Sequence, residues 1–233
     1  MIEEININHI LFLDIETAPL VYNYNELQEP HKKLWDLKFQ HHKEVTPEQQ
    51  YAKAGIYAEF AKVICICVGF FNGNEFRLKS FYGDDENQIL EQFKSMLNNN
   101  YSDPKFLLCA HNGKEFDFPF LCRRMLANGI SIPTTLQIQG KKPWEIKHLD
   151  TMELWKFGDY KSYTSLQLLA AVFNIPTPKD DIDGSQVARV YYEEKNLERI
   201  KNYCVKDVVT VARLFQKMRA EQALRDDQIV ITN

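Results

Sequence analysis

The chain has 233 residues, 45% of them apolar, so it can bury one full α/β core but is short for two domains. A formal net charge of −4, from 32 acidic and 28 basic residues, argues against a broad electropositive surface for gripping nucleic acid. The acidic N-terminus lacks the basic segment of a secretory signal, and the longest apolar run, residues 63–71, is too short to span a bilayer. We therefore expect a single domain over residues 1–233, located in the cytoplasm.

Hydrophobic periodicity predicts strands that alternate with helices along the chain. The predicted strands are residues 10–13, 62–70, 75–82, 106–109 and 144–149. Four helices are predicted, the first over residues 84–98 and the last over residues 197–219. The second contains Pro119 in its first turn and ends at Asn128-Gly129. The third runs through Phe173 and begins with a capping box formed by Thr164 and Gln167. This alternation predicts an α/β fold.

Residues 21–60 separate the first two predicted strands, although a tight hairpin would need only a few residues. The segment has no strand pattern, is rich in Glu, Gln, Lys and Tyr, and contains His31, His41 and His42. We interpret it as an inserted, mostly helical arm beside the functional site, or else as a surface elaboration without a role there. Its histidines lack a ligand spacing and do not predict a metal site.

The first predicted strand runs directly into two carboxylates, Asp14 and Glu16, in the segment L-F-L-D-I-E-T. Side chains at i and i+2 lie on the same face of a strand, so these two lie side by side. Two like charges this close are costly unless a cation holds them, and oxygen ligands select hard ions such as Mg²⁺ or Mn²⁺. Charges at an ordinary strand end are the alternative, but a carboxylate pair after a buried strand favours phosphodiester chemistry.

Two later motifs add further acidic groups. Asp117 ends the segment H-N-G-K-E-F-D and, taken alone, could be the N-cap of the following helix. Tyr203 and Asp207, in Y-C-V-K-D, are four residues apart and therefore share one helix face, with core packing and plain exposure as their alternatives. Asp150 precedes Glu153 by three residues, a spacing typical of a helix cap, so we interpret Asp150 as structural. Without the four motif carboxylates, the acidic and basic residues are equal in number at 28.

In this order and spacing, D-x-E, N-x₃-F-D and Y-x₃-D resemble the motifs of the DEDD superfamily of 3′–5′ exonucleases. Because it has Tyr203, the third motif resembles that of the tyrosine (DEDDy) branch. The histidine branch would need His at position 202, where this chain has Asn202. Flanking segments such as K-V-I-C-I-C-V-G-F, H-L-D-T-M and D-I-D-G-S-Q-V narrow the resemblance to the exonuclease domain of family-B DNA polymerases and its free-standing predicted relatives. The resemblance covers roughly residues 10–220. It implies a ribonuclease-H-like (DnaQ-like) α/β fold with a central mixed five-stranded sheet flanked by helices.

The resemblance implies a metal-dependent 3′–5′ exonuclease that releases nucleoside monophosphates from the 3′ end of preferentially single-stranded DNA. Two ions, Mg²⁺ or Mn²⁺, would be bridged by Asp14. Glu16 and Asp207 would complete the shell of the ion that activates water, Asp117 would hold the second ion, and Tyr203 would orient the water. Action on RNA, and a non-catalytic nucleic-acid-binding module that kept the fold, remain alternatives. The chain has no room for a polymerase domain beside the nuclease, so any proofreading would act in trans.

The resemblance also implies substrate-binding residues. Thr17, which follows the first motif, would help to seat the 3′ terminus. Asn112 and Phe116 would contact the terminal nucleotides, Phe116 by stacking on a base if it is exposed and by core packing if it is not. Lys179 is either a phosphate contact or a solvated loop lysine, and surface lysines are the commoner case.

The five cysteines, an odd number, suit a reducing compartment better than a disulfide framework. Cys65 and Cys67 alternate within a predicted strand and so share one face. A zinc site would need a second ligand pair, and the spacing of Cys109, Cys122 and Cys204 does not supply one. The sequence therefore argues against structural zinc.

Overall fold

A computed structural model describes residues 2–41, 44–159, 161, 163–176 and 182–232. Its centre is a mixed sheet of six strands in the order β5-β4-β1-β2-β3-β6. The strands are β1 (Ile10–Pro19), β2 (Ala61–Asn72), β3 (Glu75–Tyr82), β4 (Leu107–Ala110), β5 (Leu149–Asp150) and β6 (Ile229–Thr232). β2 is antiparallel to both β1 and β3, and the other neighbouring strands are parallel. His42 and Lys179 lie outside the described residues.

Helices cover both faces of the sheet. They are α1 (His31–Phe39), α2 (Pro47–Gln50), α3 (Glu86–Asn100), α4 (Asp117–Ala127), α5 (Thr151–Lys156), α6 (Leu166–Val172), α7 (Val187–Arg189), which continues as a π-helical turn (Val190–Glu194), and α8 (Leu197–Met218). β1 divides the core by alternation: Ile10 and Phe12 face α8, whereas Leu11 and Leu13 face α3 and α4. In the part of the chain described here, no helix is both long and apolar enough to cross a membrane.

The predicted α/β class and mixed sheet are confirmed, but the expected count of five strands is wrong. The sixth strand, β6, pairs in parallel with β3 from Phe76 opposite Ile229 to Lys79 opposite Thr232. Its four residues, I-V-I-T, are all β-branched, which favours a strand, but so short a run predicts nothing about where it pairs.

Two local predictions in the second half of the chain are also wrong. The strand expected at residues 144–149 is reduced to Leu149 and Asp150, because the Leu108 amide of β4 donates to the His148 ring at 3.1 Å and not to a backbone carbonyl of that segment. The segment before it contains a 3₁₀ turn with Trp144 exposed. α6 is capped one residue later than expected, because the Ser165 hydroxyl accepts the Leu168 amide.

Within the 21–60 segment, the described residues (21–41 and 44–60) form short α- and 3₁₀-helices around an aromatic cluster of their own. Trp35 is fully buried at its centre, and its indole nitrogen donates to the Pro47 carbonyl at 2.7 Å. The segment is fastened to β1, since the Thr17 hydroxyl donates to the Gly55 carbonyl at 2.7 Å. The arm thus meets the sheet directly after the D-x-E motif.

A buried ion pair joins α3 and α4, the two helices on the face of the sheet opposite α8. Arg124 of α4 binds both carboxylate oxygens of Glu86 in α3, with Nε–Oε1 at 2.9 Å and Nη2–Oε2 at 2.6 Å. Arg124 also donates to the Ala58 carbonyl of the arm at 2.8 Å, and Glu86 accepts the Val63 amide of β2 at 2.8 Å. Because each of the three guanidinium nitrogens has a partner, the pair holds α3, α4, β2 and the arm together.

Candidate active site

The D-x-E motif lies where β1 extends past the end of its neighbour β4. β4 pairs only with Ile10 to Phe12, so Asp14 and Glu16 lie beyond the last paired residue on that side. On the other side they lie opposite Cys67 and Cys65 of β2. Carboxylate oxygens of Asp14 and Glu16 lie within 4.8 Å of each other, as the i, i+2 spacing requires.

Asp117 is the first residue of α4 and is 3% exposed. Phe116 occupies the N-cap position, so the alternative in which Asp117 caps the helix is wrong. Burial raises the pKa of Asp117 to about 7, although backbone hydrogen bonds from its own amide and from Ile15 pull it down. The bond to Ile15 places this carboxylate next to Asp14 and Glu16, because Ile15 lies between them in the chain.

Tyr203 and Asp207 lie one turn apart on α8 and are both half-buried. Burial, the nearby carboxylates and a hydrogen bond to Asp207 raise the pKa of the Tyr203 phenol far above its ordinary value. The carboxylates that act on this phenol are Asp207, Glu16 and Asp14, in that order. The third motif therefore faces the first, and the phenol stays protonated at neutral pH.

The four carboxylates destabilise one another's charges. Burial raises the pKa of Asp14 well above its usual value, and Glu16, Asp207 and Asp117 raise it further. Burial likewise raises the pKa of Glu16, with Asp207, Cys67 and Asp117 adding to the effect. One oxygen of Asp14, Oδ2, is fully buried and has no hydrogen-bond partner. A buried acceptor without a partner, among several carboxylates, fits the oxygen-rich donor set that a hard divalent cation takes.

The loop that carries the second motif is held by Asp150. Its Oδ1 accepts the amides of Asn112 at 2.9 Å and Met152 at 2.9 Å, and its Oδ2 accepts the Lys114 amide at 3.1 Å. The expected capping role of Asp150 at α5 is therefore confirmed, and its bonds to the loop go beyond it. Gly113 fits only without a side chain, since a Cβ there would lie 2.4 Å from the Ala110 Cβ.

Comparison with known proteins agrees with this fold. The family model described as "Predicted 3'-5' exonuclease related to the exonuclease domain of PolB" matches residues 56–229, most of the chain. The chain belongs to this family. The resemblance inferred from the three motifs is thereby confirmed. The matched segment includes Asp117 and Asp207. Asp14 and Glu16 precede this segment, and the fold of the chain places them next to Asp117 and Asp207.

Two proteins to which the chain is similar are polymerases much longer than it. A DNA polymerase of Pyrococcus glycovorans is 22% identical over 138 residues, which is 52% of this chain and 17% of the polymerase. The solved family B DNA polymerase from the hyperthermophilic archaeon Pyrobaculum calidifontis is 15% identical, with a TM-score of 0.58 over 90% of this chain and 24% of that one. At this identity the likeness to the solved structure shows the fold alone.

The three residues expected to bind substrate, Thr17, Asn112 and Phe116, belong to the same chain segments as the carboxylates of the first two motifs. Thr17 is half-buried next to the motif, with its hydroxyl bonded to Gly55. Asn112 has a left-handed backbone (φ 63°), and its side-chain oxygen is buried without a hydrogen-bond partner. Phe116 is half-buried, with its ring 5.4 Å from that of Phe120. Phe116 thus packs against the core along part of its surface.

Sequence reasoning missed two features of the site. Tyr163 is 68% exposed and its hydroxyl accepts a hydrogen bond from the Asn112 amide group. Cys204 lies beside Cys65 and Cys67, with the three sulfurs within 4.8 Å of one another, and so adds one thiol to this pair. Neither contact follows from spacing, since the partners come from distant parts of the chain.

Proposed function

We propose that this protein is a metal-dependent 3′–5′ exonuclease that removes nucleoside monophosphates from the 3′ end of single-stranded DNA. The observation that carries the proposal is the convergence of four carboxylates, from β1, α4 and α8, on one place beyond the end of β4. A module that only binds nucleic acid would not need such a set, because like charges buried together lower stability. Family membership adds that the reaction is the one expected of this fold.

The carboxylates of Asp14, Glu16, Asp117 and Asp207 would hold the divalent cations, Mg²⁺ or Mn²⁺. When bound, the cations supply Lewis acidity, which makes water a nucleophile at neutral pH and stabilises the leaving 3′-oxygen. The unpartnered Oδ2 of Asp14 and the raised pKa values of its neighbours support this assignment, since a cation relieves both.

The role of Tyr203 is to orient a water or a phosphate oxygen, and it does not act as a general base. Because the pKa of its phenol is raised, the hydroxyl keeps its proton at neutral pH and acts through hydrogen bonds alone. Its hydrogen bond to Asp207 fixes the ring on the carboxylate side of α8. From there it can orient a water or a phosphate oxygen that lies between α8 and β1.

The substrate strand would reach the carboxylates between the arm and the second-motif loop. Thr17 lies on the arm side, where its hydroxyl oxygen retains lone pairs for a 3′-terminal hydroxyl. Asn112 lies on the loop side, where its amide group donates to the exposed Tyr163 hydroxyl, and would contact the terminal nucleotide there. The overall charge of −4 favours a short grip on a strand end over a long basic track.

Digestion of end-labelled oligonucleotides tests the proposal. Single- and double-stranded DNA and RNA, labelled at either end, are incubated with Mg²⁺, Mn²⁺ or EDTA. Stepwise shortening from the 3′ end of DNA, with nucleoside monophosphates as products and no activity in EDTA, is expected. Faster digestion of RNA would reassign the substrate, and cleavage of a circular single strand would refute exonuclease action. Glu91→Gln, at an exposed helix position, is the control for Asp14→Ala.

A further inference from the structure

Three buried thiols lie directly beneath the carboxylates. Cys65 and Cys67 project from β2 on the face covered by α8, and Cys204 projects from α8 onto them. The sulfurs of Cys65 and Cys67 are 3.7 Å apart, and all three sulfurs lie within 4.8 Å of one another. All three residues are 0% exposed, and all five cysteines are free.

This spacing is close to that of sulfurs around a metal ion. With metal–sulfur bonds of about 2.3 Å, tetrahedral geometry places two sulfurs about 3.8 Å apart. The Cys65–Cys67 pair already has this separation, and the other two pairs need to contract by at most about 1 Å to reach it. The Ser80 hydroxyl lies 3.0 Å from the Cys67 sulfur and is an oxygen donor close to the cluster.

We propose that Cys65, Cys67 and Cys204 form a binding site for a soft divalent cation, of the Zn²⁺ or Cd²⁺ type. Sulfur ligands select such ions, whereas the carboxylates select hard ions, so the two clusters differ in the metal that they take. Each thiol that becomes a ligand gives up its proton to solvent, and the bound cation offsets the resulting negative charge. The inference does not depend on nuclease activity.

Cys204 places the two clusters in contact. Its sulfur donates to the Asp14 carbonyl at 3.3 Å and lies within 4.8 Å of the Asp14 and Glu16 carboxylates. A cation held by the thiols would therefore lie next to β1 at the D-x-E motif, in the same layer of the protein as Tyr203. The thiol site differs from the carboxylate site in its ligand atoms, but the two sites lie on the neighbouring strands β2 and β1.

Cadmium titration of the metal-free, reduced protein tests the site. Wild type should form one thiol-bound Cd²⁺ per chain, measured by a sulfur-to-metal charge-transfer band in the ultraviolet that Cd²⁺ held by carboxylates alone does not give. Cys67→Ser should weaken this binding by about 100-fold or more, because one of three sulfur ligands is lost. Cys122→Ser is the matched control, since Cys122 is also buried and free but its sulfur bonds to the Leu136 carbonyl elsewhere. Asp117→Asn should keep the band, because Asp117 contributes only oxygen.

The cadmium-113 chemical shift of the wild-type complex gives a readout that requires no variant to fold. A shift typical of three sulfur ligands supports the site. Shifts of the oxygen-ligand type alone, no charge-transfer band once Cd²⁺ saturates the protein, or an equal band in Cys67→Ser would each overturn the proposal.

Discussion

The metal-free protein should lose stability as the pH rises, and Asp117 should account for a measurable share of this loss. Its pKa is about 7 in the folded state, against 3.8 as the ordinary value. Between these values the unfolded chain has released the proton while the folded protein still holds it. The unfolded state therefore binds fewer protons, and the free energy of unfolding falls as the pH rises through this window.

The size of the effect follows from the shift. One pKa unit is about 1.4 kcal/mol, so the full window is worth about 4 kcal/mol, of which about 2–3 kcal/mol falls between pH 5 and pH 8. Asp117→Asn carries no charge at any pH and keeps an oxygen that can accept the Ile15 amide. Its buried amide hydrogens lower stability by about 1–3 kcal/mol at every pH. The variant should thus be less stable than wild type at pH 5, and the difference should vanish or reverse at pH 8.

The assay is urea unfolding followed by circular dichroism, in EDTA, at pH 5 and pH 8, for wild type, Asp117→Asn and the exposed control Glu91→Gln. Adding Mg²⁺ or Mn²⁺ at pH 8 should stabilise wild type more than Asp117→Asn, since a cation that binds only the folded state raises its stability. If wild type and Asp117→Asn changed stability equally between the two pH values, within about 0.5 kcal/mol, Asp117 would not carry a raised pKa and the argument from burial would fail.

Three further predictions concern individual side chains. Tyr203→Phe keeps the ring and removes only the hydroxyl, so kcat should fall by about 10–10³-fold while the substrate Kd stays nearly unchanged. Single-turnover digestion measures both quantities, and an unchanged kcat would make Tyr203 a packing residue. Asp14→Ala should lower kcat by several orders of magnitude while the melting temperature in EDTA stays or rises, because one of several repelling carboxylates is gone; near-normal turnover would make these carboxylates structural only. Arg124→Ala should lower the free energy of unfolding by about 3–5 kcal/mol in urea titrations, because Glu86 is left as a buried charge without its partner, and a loss below about 1 kcal/mol would contradict this.

Much of the fold could be predicted because local patterns decide it. The bounds of β3 agree with the prediction residue for residue, and α8 ends within one residue of it, since alternation and helical periodicity are strong in both segments. The relative placement of Asp14 and Glu16, and of Tyr203 and Asp207, follows from the same local geometry. The structure brings the two pairs together, but no sequence pattern alone gives the distance between them.

What could not be predicted depends on contacts between distant segments. β5 begins only at Leu149 because the Leu108 amide of β4 bonds to the His148 side chain, and the location of β6 is set by the free edge of β3. The thiol cluster needs α8 to lie on β2, so neither the Cys65–Cys67 spacing nor the position of Cys204 reveals it. In each case the deciding partner is a surface created by folding and absent from the neighbouring sequence.

The carboxylate of Asp150 also has a consequence for motion. It accepts amides from both sides of the site: Asn112 and Lys114 in the second-motif loop, and Met152 and Glu153 at the start of α5. Opening either segment breaks bonds to the same two oxygens, so the segments should open together as one cooperative unit. The four amides should then exchange with solvent hydrogen at a common opening free energy, even though two of them belong to the loop that would contact substrate and two to a helix behind it.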